Sequence, residues 1–350
     1  PRTGGVTLMP VTAPEFDDAT LDEAVRRAID AWGREPTQLL QVLREVQEAL
    51  GFLPPMLAAD PGTEVILLVS KPPAPLILKK IMAEIKKVRK PVVAVFLGGD
   101  LLPHPMLDAG PGAPGHPDFV EGFLAAGFAR LREEMSGAYP RIFLILGNDD
   151  PRAVEEAVLA EAERGLWEYA HGRKIAWEAH TVYGYACVPP TPFHLKDWER
   201  YDVSRYVDPG CYAPEEGWWS GGAGGGERPA RTIQDDLEML AGGDDVARAV
   251  FLMHAPPYKT ALDRAALDGK SVEHAPVDVH VGSIAVRRFI EARQPLLTLH
   301  GHVHESARIT ARWKEQIGRT WAFSAAHDGP ELALVCFDPE DPSRAVRHLL

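Results

Sequence analysis

The 350-residue sequence is poor in several things, and each shortage narrows what the chain can be. It has three cysteines, Cys187, Cys211 and Cys336, scattered and odd in number. That argues against a disulfide framework and for a reducing compartment, the cytoplasm. No apolar stretch approaches the ~20 residues that cross a bilayer, so no membrane partner is expected. The opening PRTGGVTLMPVTAPEFDD lacks the basic start and apolar centre of a secretory leader. Basic residues are outnumbered, 37 Lys and Arg against 50 Asp and Glu, leaving a net charge of −13. Such a field repels nucleic acid. The short basic run Lys86, Lys87, Arg89 and Lys90 reads as a solvated helix face. A phosphate-bearing ligand can still bind beside a metal ion, whose charge dominates locally. Internal repeats are absent. The remaining composition, 45% hydrophobic and 25% charged, is that of a globular chain with one large or two ordinary α/β domains.

Histidine is also scarce, 13 in all, yet three fall within PLLTLHGHVHES, residues 295–306. Pro295–Leu299 reads as a short buried strand. If extended backbone continued, His300, His302 and His304 would share one side. Gly301 allows the chain to turn there and a ligand to come close. Imidazole is the commonest metal-binding side chain.

The same grammar recurs upstream. PVVAVFL, residues 91–97, runs into Gly98, Gly99 and Asp100. RIFLIL, residues 141–146, runs into Gly147, Asn148, Asp149 and Asp150. AVFLM, residues 249–253, runs into His254. Continuous apolar runs are strands buried on both faces. In layered α/β folds ligands collect beyond the carboxyl ends of such strands. Asp100, Asn148, His254 and the histidine cluster would therefore meet in one crevice. A carboxylate, an amide oxygen and several imidazoles suit Mn, Fe or Zn better than Ca or Mg. Singly, each motif is an ordinary turn, cap or loop histidine. Four in this order are not.

The order GD…GN…H…GHxH resembles the calcineurin-like metallophosphoesterase superfamily, over roughly residues 92–338. The resemblance implies a four-layer α/β/β/α sandwich and divalent metal chemistry on a phosphate mono- or diester. It implies Asp100 as a bridging ligand, with Asn148, His254 and His302 completing one metal site and His304 serving the other. Asp100, Asn148, His254 and His302 would be the catalytic set, with Asn148, His104 and His280 near the substrate.

Three departures follow from the same comparison. Relatives open with D-x-H after the first strand. Here Val65–Ser70 is followed by Lys71 and Pro73, neither of which can bind a cation. One ion is therefore expected rather than two, with reduced activity. Lys71 reads as a solvent-facing lysine; the alternative is an ammonium standing in for the lost cation. His104, His280 and His327 are further ligand candidates. Second, many relatives have a histidine after the asparagine, where this chain has Asp149, expected here to be a structural cap. The leaving-group acid would then be His104, His280 or water. Third, the N-terminal part is different. Residues 1–19 read as a tail and 20–58 as an extra helical segment with Leu39, Leu40, Leu43, Val46 and Leu50 at helical spacing. Residues 60–350 form the phosphoesterase-like domain. Thr20–Pro55 is similar to helices of the thioredoxin-like subunit of NADH dehydrogenases, without its cluster cysteines. DPGTEVILLVSKPPAP resembles a succinyl-CoA-ligase-like segment.

The glycine-rich WWSGGAGGGERPA, residues 218–230, reads as a flexible loop with Trp218 and Trp219 as lid contacts. CVPPTPFHLKDWERYDVSRY, residues 187–206, reads as a pocket wall or as packing. The expected substrate is a phosphorylated small molecule or another phosphoester. The alternative is a non-catalytic metal- or phosphate-binding protein with a docking module.

Overall fold

The structure, a computed structural model, describes residues 65–68, 94–102, 119–221, 231–329 and 331–349. All belong to the unit Ala59–Leu350. The expected tail and helical segment, Lys71, Pro73, His104 and residues 222–230 lie outside the described residues.

In chain order the elements are β1 (Val65–Leu68), β2 (Ala94–Gly98), a π-helical stretch Val120–Ala125 running into α1 (Ala126–Met135), β3 (Arg141–Ile145), α2 (Glu155–Glu163), β4 (Glu168–Tyr169), β5 (Lys174–Trp177) and β6 (His180–Tyr185). There follow α3 (Ile233–Ala241), β7 (Ala249–Met253), the hairpin β8 (Ser271–Val272) and β9 (Ala275–Pro276), α4 (Ile284–Arg293), β10 (Leu297–His300), α5 (Ser306–Thr310), β11 (Lys314–Ile317), β12 (Thr320–Ser324), β13 (Ala333–Asp338) and β14 (Asp341–Leu349).

Two mixed sheets result. The first has the order β14-β13-β1-β2-β3-β4, the second β11-β12-β10-β7-β6-β5. β1, β2, β3 and β4 are parallel, and so are β6, β7, β10 and β12. The apolar runs are buried as their sequence requires: Ile142 to Leu146 and Ala249 to Met253 are almost fully hidden. Strands with no polar face need cover on both sides.

One cover is the other sheet. Phe96 and Phe143, cross-strand neighbours on β2 and β3, stack at 5.1 Å. Both meet the edge of Trp177 from β5, at 5.6 and 6.1 Å. Phe337 of β13 meets Phe323 of β12 at 5.7 Å. Burying such side chains stabilises by about 1.5–3 kcal/mol each, and each ring pair adds roughly 0.5–1.5 kcal/mol. The other cover is helical. Phe128 of α1 packs edge-on against Trp167 beside β4, and α2 contacts β4. On the far side Phe289 of α4 meets Phe251 of β7 at 4.9 Å, and α3 packs on α4 and β6. The layers run helix, sheet, sheet, helix: the α/β/β/α sandwich expected from sequence. Thr232 and Asp235 close a capping box on α3, and the Ser283 hydroxyl accepts the Val286 N–H to start α4.

Candidate metal centre

The carboxyl ends of β2, β3, β7 and β10 bring four of the anticipated side chains together. Close approach of the β2 and β3 ends depends on two glycines. A methyl on Gly99 would lie 2.6 Å from His254 Nδ1, and Gly99 has φ +100°. A methyl on Gly147 would overlap Asp100 Oδ1 and the Asp100 amide. Beyond Gly99, Asp100 itself is left-handed at φ 52°, and His302 at φ 69°. Non-glycine residues rarely adopt this backbone, and where they do the surrounding structure holds them there.

His254 is fully buried. Its Nδ1 lies 2.7 Å from the Gly98 carbonyl oxygen, so Nδ1–H donates there. Its Nε2 then faces two oxygens, Asn148 Oδ1 at 3.1 Å and Asp100 Oδ2 at 3.3 Å. A neutral ring in that tautomer points a lone pair at two acceptors, an arrangement that only a proton or a cation relieves. His304 Nε2 approaches the same Asp100 Oδ2 at 3.3 Å. The His302 ring lies 5.2 Å from that of His254.

The charges follow. Burial disfavours an ionised Asp100, but the His254 and His304 rings hold its carboxyl well below the usual range. Burial likewise works against a charged His254, yet Asp100, the Gly98 carbonyl and Asp150 together raise its pKa. Asp150 is pushed up to about 7, first by burial and then by the charge of Asp100, against the pull of three backbone N–H groups.

The donors fit a divalent transition ion. Ligand atoms held at about 2.0–2.1 Å from such an ion stand roughly 2.9–3.4 Å from one another, and the separations of 3.1 and 3.3 Å lie in that range. An Nδ1–H bound to a backbone carbonyl is the usual support of a metal-ligating imidazole. No three His, Cys, Asp or Glu side chains among the described residues surround one point. The fit is therefore to His254, Asp100 and Asn148, with the amide oxygen as third donor.

Other expectations are corrected. His300 does not share a side with His302 and His304. It ends β10 inside the protein, with Nδ1 2.8 Å from Ala255 O and Nε2 2.8 Å from Thr298 Oγ1, and burial pushes its pKa down to about 3. The turn at Gly301 and left-handed His302 breaks the alternation. Asp149 is not a cap: the helical turn after it starts at Pro151 with no side-chain cap. Its N–H instead donates to Asp100 Oδ1 at 3.0 Å, and its carboxylate accepts the Asn148 amide N–H at 3.0 Å. That second bond turns Asn148 Oδ1 toward His254. The other candidate ligands, His280 and His327, pair with Asp263 at 2.8 Å and Glu331 at 2.9 Å. His104 lies outside the described residues.

Asp150 was missed by sequence reasoning. It is wholly buried, and its oxygens accept the N–H groups of Leu101, Leu102 and Gly147 at 2.8 Å each. It ties the Asp100 loop to the Asn148 loop. The only available signal was a second aspartate before Pro151. Behind it Trp198 Nε1 donates to the Asp150 carbonyl at 2.8 Å, so residues 187–206 buttress this loop. Trp198 is buried packing, while Trp218 is 54% exposed.

No family model matches the chain. The uncharacterized protein YahF of Escherichia coli (strain K12) is 40% identical over 73 residues, 21% of this chain and 13% of that protein's length. Among solved structures, one covers 81% of this chain and 98% of its own, with a TM-score of 0.50 and 14% identity. A Thermus thermophilus sulfate thiohydrolase, SoxB, in complex with glycerol, aligns over 79% of this chain and 42% of its own at a TM-score of 0.31 and 15% identity. A protein described as a 5'-nucleotidase from Staphylococcus aureus, in complex with alpha-ketoglutarate, aligns over 81% and 53% at 0.34 and 11%. The first of these solved structures shares the layered α/β fold of this chain over nearly its whole length.

Proposed function

We propose that this protein is a metal-dependent phosphoesterase that hydrolyses a phosphate mono- or diester with water. Asp100, Asn148 and His254 would hold one divalent ion of the Mn, Fe or Zn class, with His304 against the same Asp100 oxygen and the His302 ring 5.2 Å from that of His254. A single ion is the better fit, because Lys71 and Pro73 stand where the resemblance expects further ligands. When bound, such an ion draws charge from phosphoryl oxygens and makes water acidic enough to attack near neutral pH.

The residues' own tasks are local. The Gly98 carbonyl fixes the tautomer of His254 and aims its Nε2. The Asp149 N–H occupies Asp100 Oδ1, leaving Oδ2 for the ligand. Asp150 holds both loops at their separation. The observation that carries the reading is that His254 Nε2 faces Asp100 Oδ2 and Asn148 Oδ1 together, beyond parallel strands of two facing sheets, with His304 Nε2 near the same Asp100 oxygen. A phosphorylated small molecule is the proposed substrate class, since the charge of −13 disfavours nucleic acid. The three free cysteines suit the cytoplasm. Among the described residues no helix is long and apolar enough to cross a membrane.

The test is turnover of a bis-aryl phosphate with added Mn, in the wild type and in His254→Ala. A metal-dependent rate in the first alone is expected. Equal background rates in both would favour the non-catalytic binding protein.

A further inference from the structure

We propose that Trp198 and Asp197 are positioning residues of the metal centre, which fix the Asn148 loop from a separate segment of the chain. The proposal rests on the metal-centre reading above and deepens it.

The loop that carries Asn148 has few anchors of its own. Asp150 N donates to Gly147 O at 3.1 Å and closes a turn. Pro151 has no N–H to give. The helical turn Arg152–Val154 then starts without a side-chain cap from its own residues. The first N–H groups of such a turn need acceptors from elsewhere. Asp197 and Ser220 supply them. Asp197 Oδ2 accepts the Arg152 N–H at 2.7 Å, and Ser220 Oγ accepts the Ala153 N–H at 2.9 Å. Ser220 gives its own N–H to Asp197 Oδ1 at 3.0 Å and its hydroxyl to Oδ2. Asp197 is completely buried. The cap that Asp149 does not provide is thus supplied by residues 44 and more positions further on.

Trp198 completes the hold. Its Nε1–H donates to the Asp150 carbonyl at 2.8 Å. Asp150 is then fixed at both ends, since its carboxylate takes the N–H groups of Leu101, Leu102 and Gly147. That residue lies two positions from Asn148 and spans both ligand loops. The Trp198 ring is itself pinned, with the Arg152 guanidinium 4.7 Å over it and the His171 ring edge-on at 5.0 Å. Behind it the segment is rigid. Lys196 and Glu199 form a wholly buried pair. Val188 N donates to Trp198 O at 2.8 Å, Arg200 N to Val188 O at 3.0 Å, and Lys196 N to Trp218 O at 2.9 Å. A metal ligand must be held to within about 0.5 Å by packing and outer hydrogen bonds. For Asn148 those bonds lead through Asp150 to Trp198 and Asp197.

A second indole provides the control. Trp167 is also buried, and its Nε1–H donates to Val158 O at 3.0 Å, on α2, which carries no ligand. Trp198→Phe and Trp167→Phe each keep a ring and remove one buried N–H. In the full chain, Mn affinity by titration calorimetry should weaken about 10-fold for Trp198→Phe and less than about 2-fold for Trp167→Phe. Denaturant unfolding should show comparable losses of stability in both. Asp197→Ala should weaken Mn binding as Trp198→Phe does. Asp197→Asn, which keeps an acceptor for the Arg152 N–H, should recover part of it; this pair carries the test if Trp198→Phe melts early. Equal shifts in Mn affinity for the two Phe variants, or none for Trp198→Phe and Asp197→Ala, overturn the assignment and leave the metal-centre reading standing. A wild type that binds no Mn sinks both.

Discussion

Two buried polar clusters in this protein are built on opposite principles. In the first, Lys196 and Glu199 are completely buried yet satisfied. Lys196 Nζ donates to Glu199 Oε2 at 2.6 Å and to Thr191 O at 2.9 Å, and Thr191 supplies its N–H and hydroxyl to the same carboxylate. Neighbouring Asp197 accepts the N–H groups of Arg152 and Ser220 and the Ser220 hydroxyl. Donors and acceptors balance, so the cluster asks for nothing from outside. In the second, around Asp100, the oxygens of Asp100 and Asn148 converge on two imidazole nitrogens, with Asp150 close behind. Acceptors exceed donors there, an imbalance that a proton on His254 or, on the function proposed above, a cation would relieve. Burial of charge alone therefore marks neither function nor structure. The balance of donors against acceptors separates the two.

The sharpest way to break this contrast is to remove the convergence point. Asp100→Asn or His254→Ala should abolish Mn-dependent turnover, a loss of 10³-fold or more on the scale expected when transition-state charge stabilisation is removed. Metal per chain by elemental analysis should fall from about one to near zero. Retained metal and retained rate would show that the second cluster is as self-sufficient as the first. The mirror experiment is Lys196→Met. Leaving Glu199 buried without its cation should cost about 3–5 kcal/mol in denaturant unfolding. Lys196→Met with Glu199→Leu should recover much of it. A single variant as stable as wild type would mean water reaches the pair.

Titration of Glu199 refines the same point. Burial, only partly offset by Lys196 and Thr191, raises this carboxyl to about 7 from an ordinary 4.5. A folded-state pKa above the unfolded one means that the folded protein holds the extra proton between those values. Stability should therefore decline as pH rises from about 4.5 to 7, by an amount on the order of 1–3 kcal/mol. Glu199→Gln should flatten the curve over that window. A wild-type profile that rises with pH across it, with the Gln variant running parallel, would refute the argument.

The fold was largely legible because its signals are local. Apolar runs such as RIFLIL and AVFLM can only be strands covered on both faces, and a polar donor after each run points to the strand ends. Asp100, Asn148, His254 and His304 could thus be named from sequence. His300 could not be told from its neighbours, because the turn that removes it is set by left-handed His302 rather than by Gly301 alone. Asp150 and Asp197 stayed hidden for another reason. Their value lies in backbone N–H groups from other segments, up to 49 positions away, and backbone donors leave no mark in a sequence. The Asp149 role was inverted because a turn before proline looks like a cap until its partner atoms are known.

Asp149 supplies the mildest test. Its carboxylate accepts the Asn148 amide N–H, which leaves Oδ1 as the face turned to His254 Nε2. Asp149→Ala keeps the backbone N–H bond to Asp100 but frees the Asn148 amide to rotate through its alternative orientation. Mn affinity by titration calorimetry should weaken about 10-fold, the lower end for loss of a residue that orients a ligand. Stability should change by less than about 0.5 kcal/mol, because the side chain is only half-buried and fills no core position. Unchanged affinity would mean that His254 alone fixes the amide. Asp149 would then belong with the self-satisfied cluster rather than with the proposed metal centre.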